Sequence, residues 1–384
     1  MQNTDYNQLK FLESTPNIKV LIQEVIGKKP STRLASEISV CLQQGRMFFD
    51  TAIESPTEIK PLQIFYGMIG FAKALILARS FKHLETLTPS HGLKDITVQN
   101  SRLENIQLKI LSKGTFQDFN NVISQFDRII YFDESSMPSW YFIPTSTSDK
   151  LREKNINLKE VLARIPNLKD LYQDTFQENP KAWPISIFCD RYHPGFTDLQ
   201  IDDPEIYSDR VSMEKIVKKW RKKFPFLNNW CLRQVTKAWG NSIIIFCNIE
   251  KADINEFAVD FLVERDGEFR ENRNFKNDTS FKRIDFHKIL PPLSGGLGSG
   301  FDSMVEPYQD EYISECSLYY LGMYLLSSLV RYRPQIWTHS ISRSVTREKS
   351  ADDRALAIIE EFMIRAISQF PNMVINALKM KIEQ

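Results

Sequence analysis

The sequence predicts an α+β fold: a helical bundle formed by N- and C-terminal helices, carrying a strand-rich middle insert. Two nearly all-apolar helical stretches, 61–81 and 311–331, lie at opposite ends of the chain. Each presents more apolar surface than its own neighbourhood can cover, so packing them together is the economical solution. Between them lie short β-type runs at 106–111, 127–132, 184–190 and 241–250, and LPPLSGGLGSG (290–300) makes one clear flexible joint. The expected division is 1–100 for the N-terminal helices, 101–293 for the mixed insert and 294–384 for the C-terminal helices.

From Ser31 onward, Leu34, Ile38, Cys41, Leu42, Phe48, Phe49 and Ala52 recur near helical spacing. Ser31 or Thr32 can cap that helix, and Pro56 ends it. Pro61 suits the first turn of the next helix. There Gly67 and Gly70 share a face that lets a neighbouring backbone approach closely. TPSHGLKD (88–95) then closes the helix. In the middle, IQLKIL and DRIIYF read as strands, and 157–172 as a helix broken at Pro166. PISIFCD, NSIIIFCNIE and EFAVDFLVE (256–264) read as further strands, with a basic helix over 212–224. An antiparallel sheet with helices beside it accounts for this pattern. After the joint, 311–333 is an apolar helix, 338–350 a polar basic loop and 352–370 an amphipathic helix started by Asp352 or Asp353.

Composition narrows the function classes. The 49 Lys and Arg residues against 48 Asp and Glu leave a net charge of +1, so no whole-molecule field points to nucleic acid or membrane. Only 14 of 384 residues are glycine, about half of ordinary usage, which disfavours a glycine-rich nucleotide fold. The five cysteines, at 41, 189, 231, 247 and 316, are scattered and have no CxxC spacing. Free thiols in a reducing compartment are expected, with neither disulfides nor structural zinc. The N-terminus lacks a signal-peptide pattern, and the apolar stretch near 62–78 is interrupted by Gln63, Lys73 and two glycines. A cytoplasmic protein without membrane contact is expected.

The pieces QGRMFFDTA (44–52), IKPLQIFYGMIGFAKALIL (59–77), HGL (91–93), KGTF (113–116), LARIPNLKDLY (162–172) and SSLVRYRPQIW (327–337) occur in an order that resembles the YaaC-like family of bacterial proteins. FYGM and RYRP are its more specific parts, and the stretch from about 174 to 290 carries no matching motif. Some members of that family look like parts of multi-gene bacterial systems, including defence against phage. Its helical core is similar in style to HEPN domains. What the resemblance implies is an interaction subunit with protein partners in a multi-subunit complex, or a homodimer.

Several residues are candidates for chemistry. HEPN ribonucleases resemble Arg333 followed by His339: histidine would exchange protons with the ribose 2′-OH, and arginine would stabilise phosphate charge without a metal. Six residues along one continuous helix leave these side chains about 120° apart, unless a helix restarts at Pro334. The competing reading has Arg331 and Arg333 tying helix ends to carboxylates, with Trp337 in the core. The run Lys218, Lys219, Trp220, Arg221, Lys222 and Lys223 can grip a phosphate backbone and stack a base. It equally describes a solvated helix face over a buried Trp220. Arg343 and Arg347 add a second basic cluster near Arg331 and Arg333.

SGGLGSG (294–300) lacks the strand and Lys-Ser/Thr pair of a phosphate loop and reads as a linker. His91, in a turn, reads as bonded to backbone or as a functional imidazole. Asp190, His193 and Asp198 make only a weak metal constellation. No GxSxG or HExxH pattern occurs, and no cofactor or metal is expected. The function expected from the sequence is a YaaC-like interaction subunit, tied to anti-phage defence and contacting RNA or DNA. The alternative is a HEPN-like, metal-independent ribonuclease using Arg333 and His339.

Overall fold

A computed structural model describes residues 3–99, 101–132, 138–142, 144–189, 197–203, 210–238, 241–250, 262–265, 268–271, 293–294, 303–341 and 351–381. The chain opens with α1 (Asn3–Leu12) and α2 (Thr15–Ile26), the latter stopped by Gly27 in the left-handed region. Helix α3 (Thr32–Glu54) begins where Ser31 accepts a hydrogen bond from the Leu34 N–H at 3.0 Å, the expected cap. Helix α4 (Lys60–Ser80) starts at Pro61. Its close approach to α3 depends on three glycines. A Cβ on Gly70 would lie 2.9 Å from the Cys41 carbonyl oxygen and from Gly45 backbone atoms. A Cβ on Gly67 would enter the Phe49 ring.

Strands β1 (Leu93–Asp95) and β2 (Gln107–Ile110) precede α5 (Thr115–Ile123). The hairpin β3 (Arg128–Phe132) and β4 (Pro138–Phe142) follows, then α6 (Ser148–Leu151) and β5 (Asn155–Asn157). The expected helix at 157–172 is α7 (Leu158–Leu162) and α8 (Lys169–Phe176), separated by a short turn at Pro166. The sheet then forms from β6 (Ala182–Cys189), β7 (Thr197–Asp202), β8 (Trp230–Ala238), β9 (Asn241–Glu250), β10 (Leu262–Arg265), β11 (Glu268–Glu271), β12 (Leu293–Ser294) and β13 (Ser303–Val305). Helix α9 (Arg210–Lys223) connects β7 to β8. Three helices close the chain: α10 (Glu315–Tyr332), α11 (Pro334–Ile341) and α12 (Ala351–Lys379).

The fold is α+β. One apolar core runs from Leu9 to Tyr172 and resumes from Ile313 to Leu378, so both ends of the chain build it together. Helix α4 packs against α3, α5, α10 and α12. Phe65 on α4 meets Tyr320 and Tyr324 on α10 edge-on, with centroids 5.3 and 5.6 Å apart. Among the described residues α4 is the one helix long and apolar enough to cross a membrane, and 72% of its most apolar window is buried in this core.

The eight-stranded antiparallel sheet has the order β10-β11-β8-β9-β7-β6-β13-β12. Two boundaries differ from the sequence expectation. Residues 103–172, read as part of the insert, bury Ile106, Leu108, Phe116, Phe119, Leu158 and Leu168 in the helical core, because those side chains complete the cover of α4 and α10. At the other end, the sheet extends through Val305. Ser294 pairs with Ser303, and of the stretch read as a linker at 294–300 only Ser294 falls within the described residues. Of the strand read at 256–264, only 262–264 fall within the described residues. Cys231 and Cys247 are opposite each other across β8 and β9, and these two, Cys41 and Cys316 are buried and form no disulfide among the described residues.

Helix α12 continues through Pro371 to Lys379, beyond the end at 370 read from the amphipathic pattern. Phe370, Met373, Val374, Ala377 and Leu378 are buried on both sides of the proline. Arg79 donates hydrogen bonds to the carbonyls of Ala377, Leu378 and Met380, which caps the helix end.

A buried carboxyl lies just before β3, within reach of the charge of Glu315 at the start of α10. Asp127 is 7% exposed and accepts a hydrogen bond from Thr145 Oγ1 at 2.9 Å. Burial pushes its pKa up to about 8, and the charge of Glu315 adds to the rise. The folded protein therefore holds a proton that the unfolded chain releases above its ordinary value of 3.8. This group favours folding fully below that value, and its contribution is lost as pH rises toward about 8. Asp127→Asn keeps an acceptor for Thr145 and removes the titration. It is expected to raise Tm over wild type more at pH 8 than at pH 5. Equal shifts at both pH values would rule out Asp127 as the titrating group.

Candidate functional site

Three sequence motifs far apart in the chain meet at one place on the helical core. The HGL piece is fixed by the KGTF piece. Gly92 has φ +75° and Gly114 has φ +141°, both in a region that L side chains rarely adopt. With no side chain on either, the start of α5 lies directly on the turn: Thr115 N–H donates to Ser90 O at 2.8 Å and Phe116 N–H to His91 O at 3.0 Å. Gln117 Nε2 donates to Gly92 O at 2.9 Å and to Leu111 O at 2.7 Å. The backbone at His91 is thereby held from both sides.

The C-terminal end of α10 locks onto the next residues. Tyr324 OH donates to Leu93 O at 3.0 Å. Asp95 Oδ2 accepts from Ser328 Oγ at 2.8 Å and from Arg333 Nε at 3.2 Å, and Arg333 Nη2 donates to Thr97 O at 2.7 Å. Burial opposes ionisation of Asp95, but the hydrogen bonds from Thr97, Ser328 and Arg333 outweigh it and hold the carboxyl below its ordinary range. Arg333 thus ties the end of α10 to a carboxylate, one of the two roles its sequence position allowed.

Phe65, from the FYGM piece, is the centre of the arrangement and is fully buried. The His91 ring lies edge-on to it with centroids 5.4 Å apart, and also edge-on to Tyr324 at 6.1 Å. The Arg331 guanidinium carbon lies 6.0 Å from the Phe65 centroid and 5.0 Å from that of Tyr332. Tyr332 is 69% exposed and Tyr66, stacked on Phe48 at 5.6 Å, is 38% exposed. Lys73, two helical turns beyond Tyr66 on α4, lies on the same face.

The electrostatics of this cluster are unbalanced. Burial, then the charges of Arg331 and Lys73, push the His91 pKa below its ordinary value of 6.5. Its imidazole is therefore neutral at pH 7, and among the described residues the ring makes no hydrogen bond. Among the described residues the side-chain hydrogen bonds of Arg331 go to Ser327, at 3.3 Å, and neither Arg331 nor Lys73 has a carboxylate partner. The nearby carboxylate, Asp95, is paired with Arg333. Two half-buried cations and a neutral imidazole, bordered by exposed aromatic rings, are suited to a ligand carrying both negative charge and a flat π face.

The other candidates lie elsewhere. A helix does restart at Pro334, leaving Arg333 at the mouth of α11. His339 stands exposed further along that helix while the Arg333 guanidinium is engaged with Asp95 and Thr97. Trp337 is buried and donates to Glu58 O at 2.8 Å. On α9, Trp220 is fully buried with its indole N–H on Asp203, and Lys219 Nζ lies 3.0 Å from the same carboxylate. Buried Arg221 donates to the carbonyls of Leu227 and Trp230, and Lys223 pairs with Glu306 at 2.6 Å. Only Lys218 and Lys222 of that run are exposed. Arg343 and Arg347 lie outside the described residues, as do Asp190 and His193. Among the described residues no group of three His, Cys, Asp or Glu side chains is placed to hold a metal.

Sequence reasoning weighed His91 and Arg331 singly and missed Lys73, Tyr66 and Tyr332. Their one sequence signal was membership of, or adjacency to, the FYGM, HGL and RYRP pieces. No curated protein and no solved structure matches the chain. A family model described as YaaC-like protein matches residues 1–378. That match covers nearly the whole chain, including all three converging motifs, and the protein belongs to the YaaC-like family.

Proposed function

We propose that this protein is an interaction subunit of a multi-protein assembly that contacts a single nucleic-acid strand through the face formed by Tyr66, Lys73, His91, Arg331 and Tyr332. The observation that carries this reading is the pair of cations with no carboxylate partner among the described residues, beside exposed aromatic rings. Partly buried cations gain from a polyanion that replaces the water they have lost, and aromatic rings stack bases without regard to sequence. Defence against phage is the setting that the family resemblance implies for such a subunit.

Binding of an oligonucleotide of about 20 nucleotides, followed by fluorescence anisotropy across a salt series, tests the reading. Arg331→Ala is expected to weaken binding about tenfold and to reduce the slope of log K against log salt by about 0.7, the loss of one single-strand phosphate contact. Replacing Lys218 and Lys222 together by Glu is expected to cost less, because among the described residues neither of these exposed side chains lies over an aromatic ring. Equal affinity of wild type and Arg331→Ala at every salt concentration would reject this face as the interface.

A further inference from the structure

A cavity of about 400 Å³ lies between the turn at Pro166 and the eight-stranded sheet. We propose that it binds a free α-amino acid with a cationic side chain, of the arginine or lysine class. This goes beyond the strand-binding reading and uses none of the same residues.

The volume falls in the range of small-molecule sites, about 300–1,000 Å³. One wall is a face of the sheet. Alternate residues of a strand share a face, and Pro184 and Ser186 of β6 line the cavity. Their neighbour Trp183 points the other way, edge-on to Trp220 of α9 at 4.9 Å. Ser303 of β13 pairs with Pro184, and Asp202 of β7 follows Ile201, the partner of Ile185, so both belong to the cavity face. The opposite wall is the segment from Pro166 to Asp170, which turns into α8.

The polar lining lacks partners. Asn167 Nδ2 is buried without a hydrogen bond. Ser303 is 2% exposed, and its hydroxyl makes no hydrogen bond among the described residues. Lys169, Asp170 and Asp202 form no ion pair among the described residues. A buried donor without an acceptor is unfavourable, and a ligand oxygen relieves it.

One cation and two carboxylates call for the opposite set: one carboxylate and two cations. A basic α-amino acid carries that set. Its carboxylate satisfies Lys169 and the Asn167 amide, and its ammonium and side-chain cation take one aspartate each. Pro166, Pro184 and Ile185 offer apolar surface to the methylenes between them. A polyamine would leave Asn167 without an acceptor and set a cation beside Lys169. A phosphate would add negative charge to two carboxylates, and a neutral sugar would leave all three charges unpaired.

Isothermal titration calorimetry of the full chain with L-arginine and with L-lysine tests the proposal. At least one is expected to bind. Analogues of the tighter ligand then remove one charge each. L-Citrulline or L-norleucine lacks the side-chain cation, and agmatine or cadaverine lacks the carboxylate. The Nα-acetyl derivative lacks the ammonium and resembles the end of a peptide. Each is expected to bind at least about tenfold more weakly, the loss of one charge-assisted contact. Asp202→Asn, at an exposed position, is expected to weaken binding about tenfold with Tm unchanged, and Asn167→Leu to weaken it similarly. Because the ligand series is read on the wild-type protein, a variant that fails to fold leaves the test intact. No binding of either amino acid at millimolar concentration would overturn the proposal. Equal affinity for the uncharged isostere would overturn the charge match, and unchanged affinity in both variants would overturn the assignment to this cavity. Tighter binding of the Nα-acetyl form would overturn the free amino acid in favour of a peptide terminus. Strand binding is measured separately, so each of these results leaves that reading as it was.

Discussion

Gly114→Ala is expected to cost at least about 3 kcal/mol of stability and to abolish strand binding in whatever protein remains folded. Gly114 has φ +141° and ψ −175°, a region that side chains avoid, and this strain alone costs on the order of 1–3 kcal/mol. The added methyl would also meet backbone: the Gly92 nitrogen at 2.3 Å and its Cα at 2.5 Å. Neither atom can rotate aside as a flexible side chain could, so the start of α5 must separate from the turn at Ser90–Gly92. That separation breaks the bonds from Thr115 to Ser90 and from Phe116 to His91, and it moves the imidazole. Thermal denaturation beside the exposed neighbour substitution Lys113→Ala measures the effect. A loss below about 1 kcal/mol would show that the two loops part without penalty.

The second large effect is expected at Arg164, whose side chain is 4% exposed. Its guanidinium donates to Glu306 O at 2.9 Å, to Pro307 O at 3.0 Å and to the Glu160 carboxylate at 2.5 Å, and it lies over the Tyr308 ring. These contacts fasten the chain as it leaves β13 for α10. Around them Glu160 also pairs with Lys181, while Glu306 accepts from Trp183 and Lys223. One fork thus joins the helical core to the sheet. Arg164→Ala leaves two carbonyls and a half-buried carboxylate short of a donor, and a loss of about 3 kcal/mol is expected. Arg164→Lys should recover less than half of it, because an ammonium cannot span three acceptors in different directions. Hydrogen exchange over 303–311 is expected to accelerate in Arg164→Ala. Protection there equal to wild type would show that this junction does not depend on the arginine.

Several elements were legible before the structure because their signals are local. Ser31, Pro56 and Pro61 marked the limits of α3 and α4, and the apolar composition of α4 and α10 required burial all round. The burial of Trp220 was also legible: Ile216, Val217, Trp220 and Phe224 fall on one helical face, and all four are buried. Helices α1 and α2 were not recognised. Their first ten to twelve residues mix apolar and polar side chains without a strong stripe, and contacts with α3 and α12 supply what intrinsic pattern does not. The extent of the insert was misread for a similar reason. Leu108 and Phe119 have the composition of a small mixed domain, and only the unfilled surface of α4 and α10 draws them into the helical core.

The sequence by itself determined the α+β class, the family, the long helices and the side chains available for chemistry, since propensity, capping and apolar periodicity act over a few residues. Tertiary structure alone decided which of those side chains meet. Arg333 finds Asp95 across 238 residues, while Phe65, His91 and Arg331 converge from three separate segments. It also decided which charges are already neutralised: Lys219 and Lys223 are paired, and Arg331 and Lys73 have no carboxylate partner among the described residues. The physical reason is range. A hydrogen bond or an ion pair depends on distances of a few ångströms in space, and packing sets those distances without regard to separation along the chain.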